Sequence, residues 1–200
     1  MSESLVAHHP TVGPLLNERT QRAKLLEAMV QVVADKGYDA ATVADSVRVA
    51  KVSRGTFYEL FESKRACLIE AYRLGVEVLE ERIARAVTPA ETGDEEIRLG
   101  LREYLHALND EPRFARVHLL EWDALGPQRG AAIAHFAHRY GKSFARAGRP
   151  VPPEDALFVL SAGIDQLVRA RLRDGNDVTD LEDTLVGCAL RLAAKEETWT

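Results

Sequence analysis

The chain has 200 residues and a formal net charge of −5, with 46% hydrophobic and 28% charged residues. That composition predicts an ordinary globular protein of one or two domains and excludes collagen-like, low-complexity and disordered classes. Its apolar stretches fall short of the roughly 18 residues that a membrane span needs, so no membrane partner is expected.

Cys67 and Cys188 lie far apart, which rules out a disulfide framework and the paired spacings of zinc sites. Residues 1–17 contain Pro10, Gly13 and Pro14 without periodicity and are expected to form a flexible arm. His8-His9 falls there, and two histidines alone make a poor metal site. With no basic region ahead of a sustained apolar run, no secretory signal is expected and the cytoplasm is the expected location.

The net charge hides a local excess. Residues 42–65 hold Arg48, Lys51, Arg54, Lys64 and Arg65 against Asp45, Glu59 and Glu62, whereas residues 66–200 hold 17 Lys+Arg and 23 Asp+Glu. A short basic segment on an acidic body can bind phosphates, because local charge sets the attraction.

From Glu18 to Lys36 the apolar residues fall in two adjacent helical stripes, Leu26, Val30, Val33 and Leu25, Met29, Val32. Lys36-Gly37 closes that helix with a cation and a glycine able to take positive φ. Thr42 with Asp45 reads as a capping box for a helix from Val43 to about Ala50. Ser53 caps a second short helix, and Ser63 caps a long one from Lys64 to about Ala86. Only Lys51 and Val52 join the two short helices, so they must cross steeply as a helix-turn-helix.

The first turn of the second short helix would present Arg54, Gly55 and Thr56 outward, with Phe57 and Phe61 pointing into a small core. Such a turn suits entry into a DNA major groove. Arg54 can donate two hydrogen bonds to guanine O6 and N7, and Thr56 can offer a hydroxyl or a methyl to a base edge. Gly55 lets the backbone approach closely. Tyr58, Thr42 and Lys64 are placed for phosphates, the last two at helix starts where the dipole favours anions. The expected DNA contacts are therefore Thr42, Lys51, Ser53, Arg54, Gly55, Thr56, Tyr58 and Lys64.

Lys36-Gly37-Tyr38, Thr42-Val43, Val52-Ser53-Arg54-Gly55-Thr56-Phe57-Tyr58, Phe61 and Ser63-Lys64 occur in order within residues 19–72. In these pieces the chain resembles the DNA-binding domain of TetR-family transcriptional regulators. The resemblance implies a homodimer on a palindromic operator, with a C-terminal domain whose small-molecule effector releases the DNA. Three positions depart from the family's pattern: Lys51 where Gly is common, Ser46-Val47 where Ile-Ala is usual, and Leu60 where His is frequent. A left-handed Lys51 would cost about 1 kcal/mol relative to Gly. These departures motivate the alternative of a ligand-binding or sequestering dimer with little useful DNA affinity.

Beyond Thr88-Pro89 the pattern stays helical. Ile97, Leu101, Leu105 and Leu108 form one stripe ending before Pro112. Phe114, Val117, Leu120 and Trp122 form the next, expected to end near Gly126-Pro127. Ile133, Phe136, Tyr140 and Phe144 run to Gly148-Arg149-Pro150. Leu157, Leu160, Ile164, Leu167 and Val168 run to Asp174-Gly175-Asn176-Asp177, and Thr179 with Glu182 reads as a capping box for a last helix. No stretch alternates with period 2. The expected fold is all-α with about nine helices: an arm at 1–17, a helix-turn-helix domain at 18–65 (helix-turn-helix about 42–61), and a helical ligand-binding and dimerisation domain at 66–200.

The resemblance implies that the last two helices pair with their copies as a four-helix bundle. Leu160, Ile164, Leu181, Leu185, Cys188 and Leu192 are the expected interface residues, although the same stripes would equally serve the chain's own core. Tyr104, Phe114, His118, Trp122, Phe136 and Tyr140 are the expected pocket lining, apolar walls with few polar groups. His135 and His138 share a helix face without a carboxylate or cysteine in register, so no metal is expected. Gly141-Lys142-Ser143 follows no strand and no glycine-rich loop, and no nucleophile, base and oxyanion set assembles. No enzyme activity and no cofactor are expected. Cys67, beside Lys64 and Arg65, is read as a buried, inert thiol in preference to a redox sensor.

Overall fold

The computed structural model describes residues 20–192, apart from the side chains of 122 and 123. The expected arm at 1–17, with His8-His9, lies outside the described residues. Nine α-helices and one short 3-10 turn make up the architecture of the described residues, which contain no strand.

Helix α1 (Gln21–Lys36) starts at Thr20, whose hydroxyl accepts from the Ala23 amide, and stops at Gly37 with φ +80°. Both of its apolar stripes are used, with Leu25, Leu26, Met29, Val32 and Val33 buried. Helix α2 (Val43–Ala50) carries the capping box, with the Thr42 hydroxyl and the Asp45 carboxylate each taking the other's backbone amide. Lys51 follows at φ 55°, ψ 44°, the one left-handed non-glycine among the described residues. Helix α3 (Arg54–Leu60) is capped by Ser53 and α4 (Lys64–Ala86) by Ser63.

Helix α4 is shared between two cores. Its first half gives Cys67, Leu68, Ala71 and Tyr72 to a core formed with α1, α2 and α3, and its second half gives Leu79 and Ile83 to the larger core. An edge at residue 65 therefore does not divide the packing: the first core reaches Tyr72 and also takes Val117, Ala124 and Leu125 from later in the chain. At Gly75, α4 meets the Phe114 ring, which would lie 2.1 Å from an added Cβ, so the crossing needs glycine.

Helix α5 (Gly93–Asp110) begins at Thr92 with Asp94, Glu95 and Glu96 in its first turn, acidic residues suited to the positive end of the dipole. Helix α6 (Pro112–Leu120) has proline at its first position, where a missing amide costs nothing. The chain then breaks at Glu121, not at Gly126-Pro127 as expected. Helix α7 (Trp122–Arg146) runs straight through Pro127. That proline sits in the second turn and removes a single i−4 bond from a 25-residue helix, while buried Ala124 and Leu125 hold the turn in place. Gly141-Lys142-Ser143 lies inside α7 and forms no loop.

Helix α8 (Glu154–Arg173) and helix α9 (Glu182–Leu192) flank the 3-10 turn Thr179–Leu181. The expected box of Thr179 and Glu182 is replaced: Asp177 accepts from the Thr179 amide at 2.8 Å, and Glu182 is taken by Arg102 at 2.7 Å. A short Asx turn satisfies the amide locally, leaving the glutamate for a cross-helix ion pair.

The expected interface residues divide between the chain's own core and its surface. Ile164, Leu181 and Leu185 are buried in the chain's own core, and Leu160 packs partly against it. Cys188 is exposed and Leu192 half-buried. The outward apolar face of α8 instead carries Phe158, Val159 and Leu167, exposed at 43%, 69% and 38%, around exposed Gly163. Among the described residues, no helix is long and apolar enough to cross a membrane.

Candidate nucleic-acid interface and ligand cavity

Helix α3 is seven residues long, too short to be stable by propensity, so its neighbours must hold it. Phe57 and Phe61 are buried with their rings 5.6 Å apart, anchoring one face. Arg22 of α1 donates to the Leu60 carbonyl at 3.3 Å, lies over the Phe61 ring, and pairs with Glu70 of α4 through a 2.6 Å hydrogen bond. This clamp on the end of α3 carries no sequence motif.

The opposite face is free. Ser53, Arg54, Gly55 and Tyr58 are exposed, and the Arg54 guanidinium lies 5.7 Å from the Tyr58 ring centroid. Thr56 is half-buried, its amide bonded to the Ser53 hydroxyl at 2.9 Å. Lys51 is exposed beside this face. The Thr42 hydroxyl is engaged with Asp45, donating at 2.7 Å. Hydrogen bonds from Lys36 and Thr42, the two largest causes, hold the Asp45 carboxyl well below the usual carboxylate range.

Lys64 is placed differently from its expected role at a phosphate. Its ammonium donates to the Tyr38 and Ala41 carbonyls at 2.6 and 2.8 Å and sits 4.0 Å from the Tyr38 ring centroid. Two of its three donors therefore fasten the loop before α2. From the other side, the Glu121 carboxylate accepts from the Tyr38 amide at 3.1 Å. The loop that positions the helix-turn-helix is thus bolted to α4 and to the α6–α7 junction.

Between α4, α5, α6, α7 and α8 lies a cavity of about 80 Å³. Tyr104, His118, Phe136 and Tyr140 line it as expected. Phe114 does not; it is buried against Gly75 and stacks on His118 at 5.1 Å. The Trp122 side chain lies outside the described residues. Sequence periodicity missed Tyr72, Arg129 and Asp165. Arg129, only 1% exposed, donates to the His118 carbonyl at 2.9 Å and to that of Leu119, closing the end of α6, and pairs with Asp165 at 2.5 Å. Only the apolar neighbours of a buried arginine belong to a periodic pattern, so that residue had no signal.

Burial, and then the nearby Arg129 charge, hold the His118 imidazole down at about 3. Burial pushes the Tyr72, Tyr104 and Tyr140 hydroxyls up, so all three stay protonated. Desolvation raises the Asp165 carboxyl, opposed by Arg129. The Cys67 thiol, fully buried, is pushed up to about 12, which suits an inert core residue. His135 is exposed and lies 3.3 Å from Glu80, and no group of three metal-ligating side chains occurs among the described residues.

A helix-turn-helix with an exposed, basic first turn on its second helix is the arrangement that DNA-binding proteins of the major-groove class use. Residues 25–71 match the family model for the bacterial regulatory proteins of the tetR family. Over that segment the chain is similar to TetR-family transcriptional regulators. It is 42% identical over 45 residues to an uncharacterized HTH-type transcriptional regulator, YvdT, of Bacillus subtilis, covering 22% of this chain and 23% of that protein. It is 26% identical over 104 residues to the fatty acid metabolism regulator protein of the same organism, covering 52% and 54%. These matches span about a quarter and about half of the relatives' lengths. The fold is also that of the Bacillus subtilis regulator FadR in complex with stearoyl-CoA, with a TM-score of 0.70 and 16% identity over 83% of this chain and 96% of that one.

Proposed function

We propose that the protein is a cytoplasmic repressor that binds a palindromic operator as a homodimer and releases it when a small molecule fills the cavity. One observation carries this: the loop holding the helix-turn-helix is tied through Lys64 and Glu121 to helices that also wall the cavity. Arg54 and Thr56 read base edges, Gly55 allows close approach, and Lys51, Ser53, Thr42 and Tyr58 contact the backbone of the DNA. Lys64 chiefly positions the loop, with one donor left for a phosphate. Residues 20 to about 72 form the reading head; the described residues beyond them form the ligand and dimer unit, joined to the head by α4. The exposed face of α8 supplies the dimer contact.

The stearoyl-CoA of the Bacillus subtilis structure is that protein's ligand. At 16% identity only the fold carries over, and the effector must be argued from the cavity itself.

Two reading turns in successive major grooves lie about 34–36 Å apart, one helical turn. Hydroxyl-radical footprinting of the protein on DNA from its own upstream region should show two protected tracts at that spacing, related by a dyad. A single tract, or protection without a boundary, would contradict dimeric operator binding.

A further inference from the structure

We propose that the cavity takes a compact, flat, uncharged molecule that presents a hydroxyl or carbonyl oxygen to Tyr72 and His118. The inference rests on the ligand-responsive function above and names the chemical class of the effector.

Two neutral side chains in the cavity wall each have a polar atom without a hydrogen-bond partner among the described residues. The Tyr72 hydroxyl and His118 Nδ1 are buried and lack a hydrogen-bond partner among the described residues, on side chains that both line the cavity. Buried polar groups are nearly always paired, so two orphans on one cavity mark where a ligand atom belongs. A ligand hydroxyl accepts from Tyr72 and donates to Nδ1. A carbonyl oxygen accepts from Tyr72 and, when Nδ1 carries the imidazole proton, from His118 as well.

Shape follows from the rings. Tyr72 stacks on His118 at 5.0 Å and 17°, and His118 on Phe114 at 5.1 Å and 21°, so three near-parallel rings stand behind the polar end. Ile83, Ile97, Leu101, Ile133 and Phe136 supply apolar wall elsewhere. The space that the centre of a water molecule can reach is about 80 Å³, and the molecular volume around it is larger, room for a compact two-ring body.

Charge follows from the pairing. Two cations and two anions line the cavity, Arg129 and Arg139 against Glu96 and Asp165. Arg129 is already matched by Asp165 at 2.5 Å, and Glu96 by Arg146 at 3.0 Å. His118 stays neutral at pH 7. Arg129 is the cation near Tyr72 and His118, with Arg139 ten residues further along α7, so at that end a ligand carboxylate would have to take Arg129 from Asp165 and strand that carboxylate in a buried site, and an ammonium would face Arg129. A neutral oxygen completes the two open bonds and disturbs neither pair.

Calorimetric titration of the full-length protein at pH 7.5 with 2-naphthol, 2-naphthoate and decanoate tests this. We expect one 2-naphthol per chain, bound at least tenfold more tightly than either anion. Tyr72→Phe should weaken 2-naphthol at least fivefold and leave the melting temperature unchanged or raised, because the deleted hydroxyl had no partner. Anion binding as tight as that of 2-naphthol overturns the neutral class and leaves a ligand-responsive regulator standing. Binding of none of the three overturns the neutral class and the ligand response together, without touching DNA binding, which is read separately. Unchanged 2-naphthol affinity in Tyr72→Phe overturns the assigned contact.

Discussion

Lys51 carries a conflict between stability and binding. It holds φ 55°, where a side chain crowds the following carbonyl and glycine is at ease. Lys51→Gly should therefore stabilise the fold by about 1 kcal/mol, raising Tm by about 2–4 °C for a chain of this size. The same change removes an exposed cation, so DNA affinity should fall similarly on all sequences, with the salt slope smaller by about one. A thermal melt and a salt series measure both, and a lower Tm would contradict the strain.

His118 makes the opposite kind of prediction. Its folded value of about 3 lies below the ordinary histidine value of 6.5 because burial disfavours the cation. Between the two values the unfolded chain binds the extra proton, so stability rises with pH there. The contribution is complete above about pH 6.5 and is lost progressively as pH falls towards 3. His118→Phe keeps a stacking ring without a titrating group, so its Tm should fall less than that of wild type between pH 7.5 and pH 4.5. Equal losses would contradict a buried neutral imidazole. At this scale the caps at Thr42, Ser53 and Ser63 were readable, because cap and helix are adjacent in sequence. The hold of Lys64 on the loop was not readable, because its partners, Tyr38 and Ala41, lie more than twenty residues upstream and no local pattern announces a carbonyl as the acceptor.

Elements were largely readable, and the failures have physical causes. Proline and glycine mark helix ends in most contexts, yet Pro127 is accommodated in the second turn of α7 while the true break, at Glu121, contains neither. Arg129 reaching back to the carbonyls of α6 supplies the interruption, through contacts about ten residues apart. Helix α8 failed differently. Its stripes were visible, but periodicity gives the angle between faces and not which face meets which neighbour. Ile164 turned out to be core, and Phe158, Val159 and Leu167 hold the outer face. Exposed apolar residues so close together support the proposal that this face makes the dimer contact. Val159→Glu places a charge at the most exposed of them, 69% accessible. Sedimentation should then report a particle of 22.2 kDa in place of one of twice that mass, with no loss of helical signal. A variant that sediments like wild type would place the dimer contact elsewhere.

At the scale of the whole molecule, two cores share one helix. Helix α4 runs from the first core, through the Tyr72 wall of the cavity, into the second. A ligand that prefers one packing of α4, α6 and α7 can shift the population of reading-head positions only by its difference in affinity for the two. The acidic net charge does not oppose DNA binding, because the anions lie mostly beyond residue 65 and the reading face keeps Lys51 and Arg54 exposed. Tyr104, His118, Phe136 and Tyr140 were visible in sequence as pocket lining, and Tyr72 was not. The buried ion pair and the two orphaned polar atoms were not, since both depend on what faces them across the fold. The most direct test of sequence reading by the Arg54–Tyr58 turn is a fluorescence-anisotropy titration against DNA from the protein's own upstream region, with a scrambled duplex, at two salt concentrations, for wild type and Arg54→Ala. Wild type should favour the upstream duplex at least tenfold and weaken with salt, and Arg54→Ala should lose about 1–3 kcal/mol of that preference while keeping its affinity for the scrambled duplex. Equal affinity of wild type for the two duplexes at both salts would contradict sequence reading and favour a ligand-binding dimer that does not read DNA.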